Sequence, residues 1–191
     1  MTHRRRLLAA LLVAAVAALG GCASATTVQL VPSPQSPVCQ SAVNVLVLWA
    51  PRWRPDQKDI SDREAAAADG IAQFFSKSGC FASATIQRVE QPSAATVAAV
   101  LEQARARYDG AVVVTVRELG PIVKIGSSAA LVEGGTEVVL ELAEYKLPAS
   151  AAQRSFSVTW RNGGPGVIKG VASLPQDMQA ALAAGMQPVA K

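Results

Sequence analysis

Histidine is nearly missing from this chain: His3 is the only one in 191 residues. Because His3 lies in the extreme N-terminal segment, imidazole chemistry in the body of the protein is excluded. That removes serine and cysteine hydrolase triads built on histidine, and most zinc sites. Long hydrophobic runs are also lacking. The apolar stretch Leu7 to Leu19 falls well short of the roughly 20 residues that a bilayer span needs, so it reads as a signal and not as an anchor. Cysteine is limited to Cys22, Cys39 and Cys80. A large excess of charge is missing too. Removing Arg4, Arg5 and Arg6 with the leading segment leaves 15 of the 18 Lys and Arg against 14 Asp and Glu, a net +1. A chain so close to neutral has no electrostatic footprint for nucleic acid.

What is present at the N-terminus is specific. Arg4 to Arg6 supply a positive segment, an apolar stretch follows, and Leu19-Gly20-Gly21-Cys22 closes it. This run resembles the lipobox of bacterial lipoproteins. The resemblance implies that the Cys22 thiol is acylated and that the peptide is cut just before it. An ordinary secretory signal cut near Ala23 or Ala25 is the alternative. Ala23 and Ser24 after Cys22, with no Asp beside it, resemble lipoproteins sent on to the outer membrane. The expected organisation is a signal peptide over 1–21, a lipidated and Pro-rich tether over 22–38, and one periplasmic domain over 39–191. About 170 residues suffice for one domain with a real core. Pro32, Pro34 and Pro37, set among Ser, Thr and Gln, argue for an extended, poorly packed tether.

With Cys22 assigned to lipid, Cys39 and Cys80 remain in a compartment where thiols oxidise, and a disulfide between them is expected. Two free buried thiols are the alternative.

Val43 to Trp49 is a nearly continuous apolar run rich in β-branched residues, as in a strand covered on both faces. Ser61 and Glu64 have the spacing of a capping box. They predict a helix with Ala67, Ala68, Ile71, Phe74 and Phe75 on its inner face, closed by Gly79 in the left-handed region. A second strand is expected over Phe81 to Val89. Ser93 is expected to cap a second helix, facing inward with Val97, Val100, Leu101, Ala104 and Tyr108. Strands follow over Ala111 to Val116, with continuation to Ile125 open, then Thr136 to Tyr145 and Ser155 to Trp160, with a last helix from Leu174 to about Met186. Asn162 to Gly166 reads as a turn, because its glycines lack the Lys-Ser/Thr ending of a phosphate loop. The fold class is α/β (α+β): a single domain in the order β-α-β-α-β-β-β-α, a mixed sheet with helices packed on it. This order brings Cys80, just past the first helix, near Cys39, just before the first strand.

That element order, behind a lipobox, resembles the small α/β domain shared by the amino-terminal domain of TolB, the curli secretion lipoprotein and related envelope lipoproteins. The resemblance covers roughly Val43 to Met186. It implies a non-enzymatic domain that binds protein partners or assembles into oligomers in the periplasm. It supplies no functional residues, and pore formation is not carried over.

Trp49, Arg52, Trp53 and Arg54 follow the first strand, at the sheet end where α/β folds place ligands, and form the candidate binding loop. Core cover, with the arginines paired to Asp56 and Asp59, is the competing reading. Asp56, Asp59, Asp62, Glu64 and Asp69 form the densest acid cluster. Helix-start electrostatics already accounts for several of them, and no calcium-loop spacing is present. No catalytic residue, cofactor or metal site is expected, and nucleic acid is not an expected partner. The expected function is binding in envelope assembly or maintenance, by a lipoprotein of the outer membrane facing the periplasm. Its expected partners are the membrane, through the N-terminal lipid, and an envelope protein or further copies of the chain. An auxiliary lipoprotein of a transporter or secretion system is the alternative, and a carboxylate-based envelope enzyme is the least supported.

Overall fold

The computed structural model describes residues 24–125, 132–149 and 151–187. Six strands form one mixed sheet: β1 Ala25–Val31, β2 Gln40–Pro51, β3 Phe81–Arg88, β4 Gly110–Ile125, β5 Val132–Lys146 and β6 Arg154–Pro165. Three helices join them: α1 Ile60–Lys77, α2 Ala94–Ala104 and α3 Leu174–Met186. The strand order is β1-β6-β5-β4-β2-β3. Strands β2, β3 and β4 run parallel, joined through α1 and α2, while β4, β5, β6 and β1 pair antiparallel. The expected mixed α/β sheet is present, with one strand more than the sequence order predicts.

Strand β2 shows how the sheet is buried. Its apolar run has no polar side because successive residues face different helices. Val45, Val47 and Trp49 join the core beneath α1 and α3, whereas Leu46, Leu48 and Ala50 pack against Val97, Leu101 and Ala104 of α2. Helices α1 and α3 touch closely at Gly70, where a Cβ would stand 2.6 Å from Cβ of Met178. Gly79 follows α1 with φ of 63°, the left-handed geometry that glycine takes without strain. Cys39 and Cys80 form a disulfide with their Cα atoms 4.5 Å apart.

Three local readings need correction. The segment 22–38 is not a tether throughout, because Ala25–Val31 is an edge strand paired with Ser157 to Gly163 of β6. The prolines begin only at Pro32, and the Ala-Thr-Thr-Val-Gln-Leu-Val stretch before them has the β-branched content of a strand. Behind it, Arg154 donates to the carbonyls of Ser36 and Pro37 at 2.6 and 2.8 Å, and Val38 is buried. The capping box is also not formed. Helix α1 starts at Ile60 behind Asp59, which has φ of 54° and makes no side-chain cap bond, so Ser61 lies inside the first turn, and the Glu64 carboxylate bonds Trp53 and Arg88 instead. Ser93 does cap α2, accepting from the Thr96 amide at 3.0 Å.

The third correction concerns Asn162 to Gly166. Strand β6 runs on to Pro165, and Gly163 and Gly164 pair with Gly135 and Gly134 of β5. A Cβ on Gly163 would stand 2.6 Å from Cα of Gly135, so these glycines permit backbone-to-backbone packing. The chain turns only at Gly166, with φ of 72°.

Candidate functional site

The loop after β2 separates into unlike parts. Trp49 is buried in the core, with the Arg88 guanidinium 5.7 Å from its ring centroid. It is core cover and does not belong to an exposed loop. Trp53 is half-buried against the same core, and its indole N–H donates to Glu64 at 3.2 Å. Arg88 donates to the other oxygen of Glu64 at 2.7 Å. Arg52 and Arg54 are exposed. Arg54 lies 3.2 Å from Glu118 and 3.8 Å from Asp56, while the Arg52 amide donates to the Val116 carbonyl at 2.8 Å.

Beneath this loop sits a charged cluster that the sequence reading does not single out. Arg63 of α1 is 9% exposed, and its guanidinium donates to Glu118 at 2.9 Å, to the Leu119 carbonyl at 2.6 Å and to the Lys58 carbonyl at 2.8 Å. Gln57 donates to the same Glu118 oxygen at 2.8 Å. Glu118 reaches this position through an irregularity between Val116 and Glu118 in the β4–β5 register, which shifts Arg117 out of step. Gly120 leaves the room: a Cβ there would overlap the guanidinium of Arg63. Arg63 bonds the Lys58 carbonyl ahead of α1 and both Glu118 and the Leu119 carbonyl of β4, so the cluster locks loop, helix and strand together. The legible signal for it in the sequence is the charged pair Arg117 and Glu118, which interrupts the apolar run of β4.

The acid cluster is dispersed. Glu64 serves Trp53 and Arg88, Asp69 accepts from Gln73 at 2.8 Å, and Asp56 faces Arg54. No group of three His, Cys, Asp or Glu side chains able to hold a metal comes together among the described residues. Cys22 lies outside the described residues.

A further surface is the second face of the sheet. Helix α2 covers it over β2 and β4. Over β5, β6 and β1 no helix covers it among the described residues, and Glu141, Ser155, Arg161, Thr27, Gln29 and Val31 are exposed there. Cross-strand pairs run along it: Arg161 to Glu137 at 2.8 Å and Arg117 to Glu141 at 3.2 Å. Where the open half meets α2, a groove of about 470 Å³ is lined by Val97, Val113, Thr115, Ala143, Tyr145 and Ser157, among others. Burial pushes the Tyr145 hydroxyl above its usual value near 10. At neutral pH it is therefore a neutral hydrogen-bonding group at the rim of an apolar and hydroxyl-lined floor.

These features define an α/β domain with one sheet face closed by two helices and the other half open. No protein-family profile matches the sequence, and no curated protein matches it. Solved structures do. The PelC dodecamer from Paraburkholderia phytofirmans is 18% identical with a TM-score of 0.47, over 87% of this chain and 100% of that one. A protein from Xanthomonas campestris is 16% identical with a TM-score of 0.42, over 84% of this chain and 87% of that one. A lipoprotein from Neisseria meningitidis is 17% identical with a TM-score of 0.41, over 73% of this chain and 94% of that one. Identities and scores of this size describe a similar course of the chain and say nothing of its chemistry. No helix among the described residues is long and apolar enough to cross a membrane.

Proposed function

We propose that this chain is a lipoprotein of the outer membrane, acylated at Cys22 and facing the periplasm, which acts by binding an envelope protein rather than by catalysis. The observation that carries the binding role is the half-open sheet face. A sheet normally buries both faces or wets one with charged residues. Here the open half carries internally neutralised Arg–Glu pairs, Thr159, Ser157 and the half-buried Val139. That mixture of apolar ground and satisfied polar groups matches the make-up of a non-obligate interface. Site-specific photocrosslinking in intact cells tests it. A crosslinker at Val139 or Thr159 should capture a discrete envelope protein, and one at Ala72, exposed on α1, should not. Capture from Ala72 alone would refute the assignment. Acylation is tested separately, since Cys22→Ser should abolish palmitate incorporation.

A second copy of the chain is the other partner that a specific feature favours. Strands β1 and β3 are the two free edges and run in opposite directions. One copy's β3 could therefore pair antiparallel with the next copy's β1, and β3 carries no proline to prevent it. Light scattering on the mature protein tells the two apart: a monomer excludes edge pairing, and a closed ring supports it.

A further inference from the structure

Strand β1 changes what the N-terminal anchor can do. Ala25 lies opposite Gly163, Gly163 opposite Gly135, and Gly135 opposite Ile122, so one row across four strands is level with the start of β1, and β4 and β5 continue beyond it to Ile125 and Val132. One residue further out stand Val123, Gly134 and Gly164. The Val167 carbonyl lies over Gly134, where a Cβ would stand, and the Val167 amide donates to the Gly164 carbonyl at 3.2 Å. The chain after β6 is thus held at this same end, and Ile168 follows there.

Among the exposed large hydrophobic residues, Ile168 at 94% and Val123 at 65% are the two most exposed, and both belong to this end. Single exposed apolar side chains are ordinary. Here the pair stands where the chain leaves the sheet for Cys22. Two residues, Ala23 and Ser24, separate Cys22 from Ala25, three steps of chain with a reach of about 10 Å when fully extended. A flexible tether running to Cys39 would have let the domain turn freely; a strand beginning at Ala25 does not.

We infer that the sheet end carrying Ala25, Val123 and Ile168 is a membrane-contacting surface, seated on the phospholipid bilayer with Val123 and Ile168 at the headgroup–acyl boundary. This rests on the acylation of Cys22 proposed above. The short reach holds that end against the bilayer, and the exposed apolar residues meet lipid there. The open half of the sheet then stands upright from the membrane, presented sideways to partners.

The orientation can be tested without relying on acylation in cells. With Cys39 and Cys80 joined, Cys22 is the remaining thiol of the three, and all described elements lie within 24–187. The mature chain from Cys22 is coupled through that thiol to a maleimide phospholipid in phosphatidylethanolamine–phosphatidylglycerol vesicles with brominated acyl chains. Tryptophan is introduced by Ile168→Trp, Val123→Trp or, as reference, Val31→Trp at the far end of β1, and the signal of the unsubstituted chain is subtracted. Quenching should be several-fold stronger at positions 168 and 123 than at 31. Equal quenching at all three, stronger quenching at 31, or none at 168 and 123 would overturn the inference. Because the anchor is supplied chemically, loss of palmitate labelling in cells would refute acylation alone and leave this result standing.

Discussion

Arg63 and Glu118 meet 2.9 Å apart beneath the loop after β2, one from α1 and one from the irregular stretch of β4. Because the Arg63 side chain is largely buried, the pair is a positional lock between helix and sheet. Removing one member leaves the other partly desolvated without its counter-charge.

Arg63→Ala should therefore destabilise the domain by about 3 kcal/mol, the lower end for a broken buried pair because Gln57 and Arg54 still reach Glu118. For a domain of this size that lowers the thermal midpoint by about 10 °C. Adding Glu118→Gln to the same chain should cost less than the sum of the two single changes. Additive losses in calorimetry would show that the two residues act independently.

Cys39→Ser with Cys80→Ser should cost up to about 4 kcal/mol on the chain-entropy scale for their separation of 41 residues. Denatured without reductant, the mature wild-type chain with Cys22 blocked should show no titratable thiol. Two thiols would refute the pairing.

Trp49→Ala and Trp53→Ala should behave differently although both lie near the same loop. Trp49 is core, and its loss should cost about 3 to 5 kcal/mol. Trp53 is half-buried and held by one hydrogen bond to Glu64, so its loss should cost clearly less. Urea denaturation of both variants is the check, and equal losses would contradict the assignment of Trp53 to the core margin.

Tyr145 sets an alkaline limit. Burial raises its folded value above the usual 10, so between the unfolded and folded values the native state holds a proton that the unfolded chain has lost. Its contribution is fully present below about pH 10 and is lost as pH rises through the folded value. Tyr145→Phe should remove that share of the alkaline decline in urea midpoints and leave the neutral region flat. An unchanged alkaline slope would place the loss elsewhere.

Much of the fold was legible locally. The Leu174–Met186 helix, the Ser93 cap and the left-handed Gly79 depend on neighbours a few residues away, and each stands as the pattern predicts. Cys22 lies outside the described residues, and its proposed acylation rests on the sequence alone. The misread elements share a different cause. Ala25–Val31 becomes a strand because β6 offers it an edge, and Gly163–Gly164 stays in a strand because Gly135 and Gly134 lie opposite. Glu64 bonds Trp53 and Arg88, which reach it from elsewhere in the chain, instead of closing a capping box.

The candidate site follows the same division. Composition determined what the body of the protein cannot do with imidazole, and periodicity determined which residues enter the core. Tertiary structure decided that Trp49 is buried while Trp53 lies at the margin, that Arg63 and Glu118 meet across 55 residues, and that half of one sheet face stays open. Hydrophobic periodicity records whether a side chain is buried, and both faces of a sheet produce the same alternation. Which face receives a helix depends on where the connections cross, and that is settled only when the strands have chosen their neighbours.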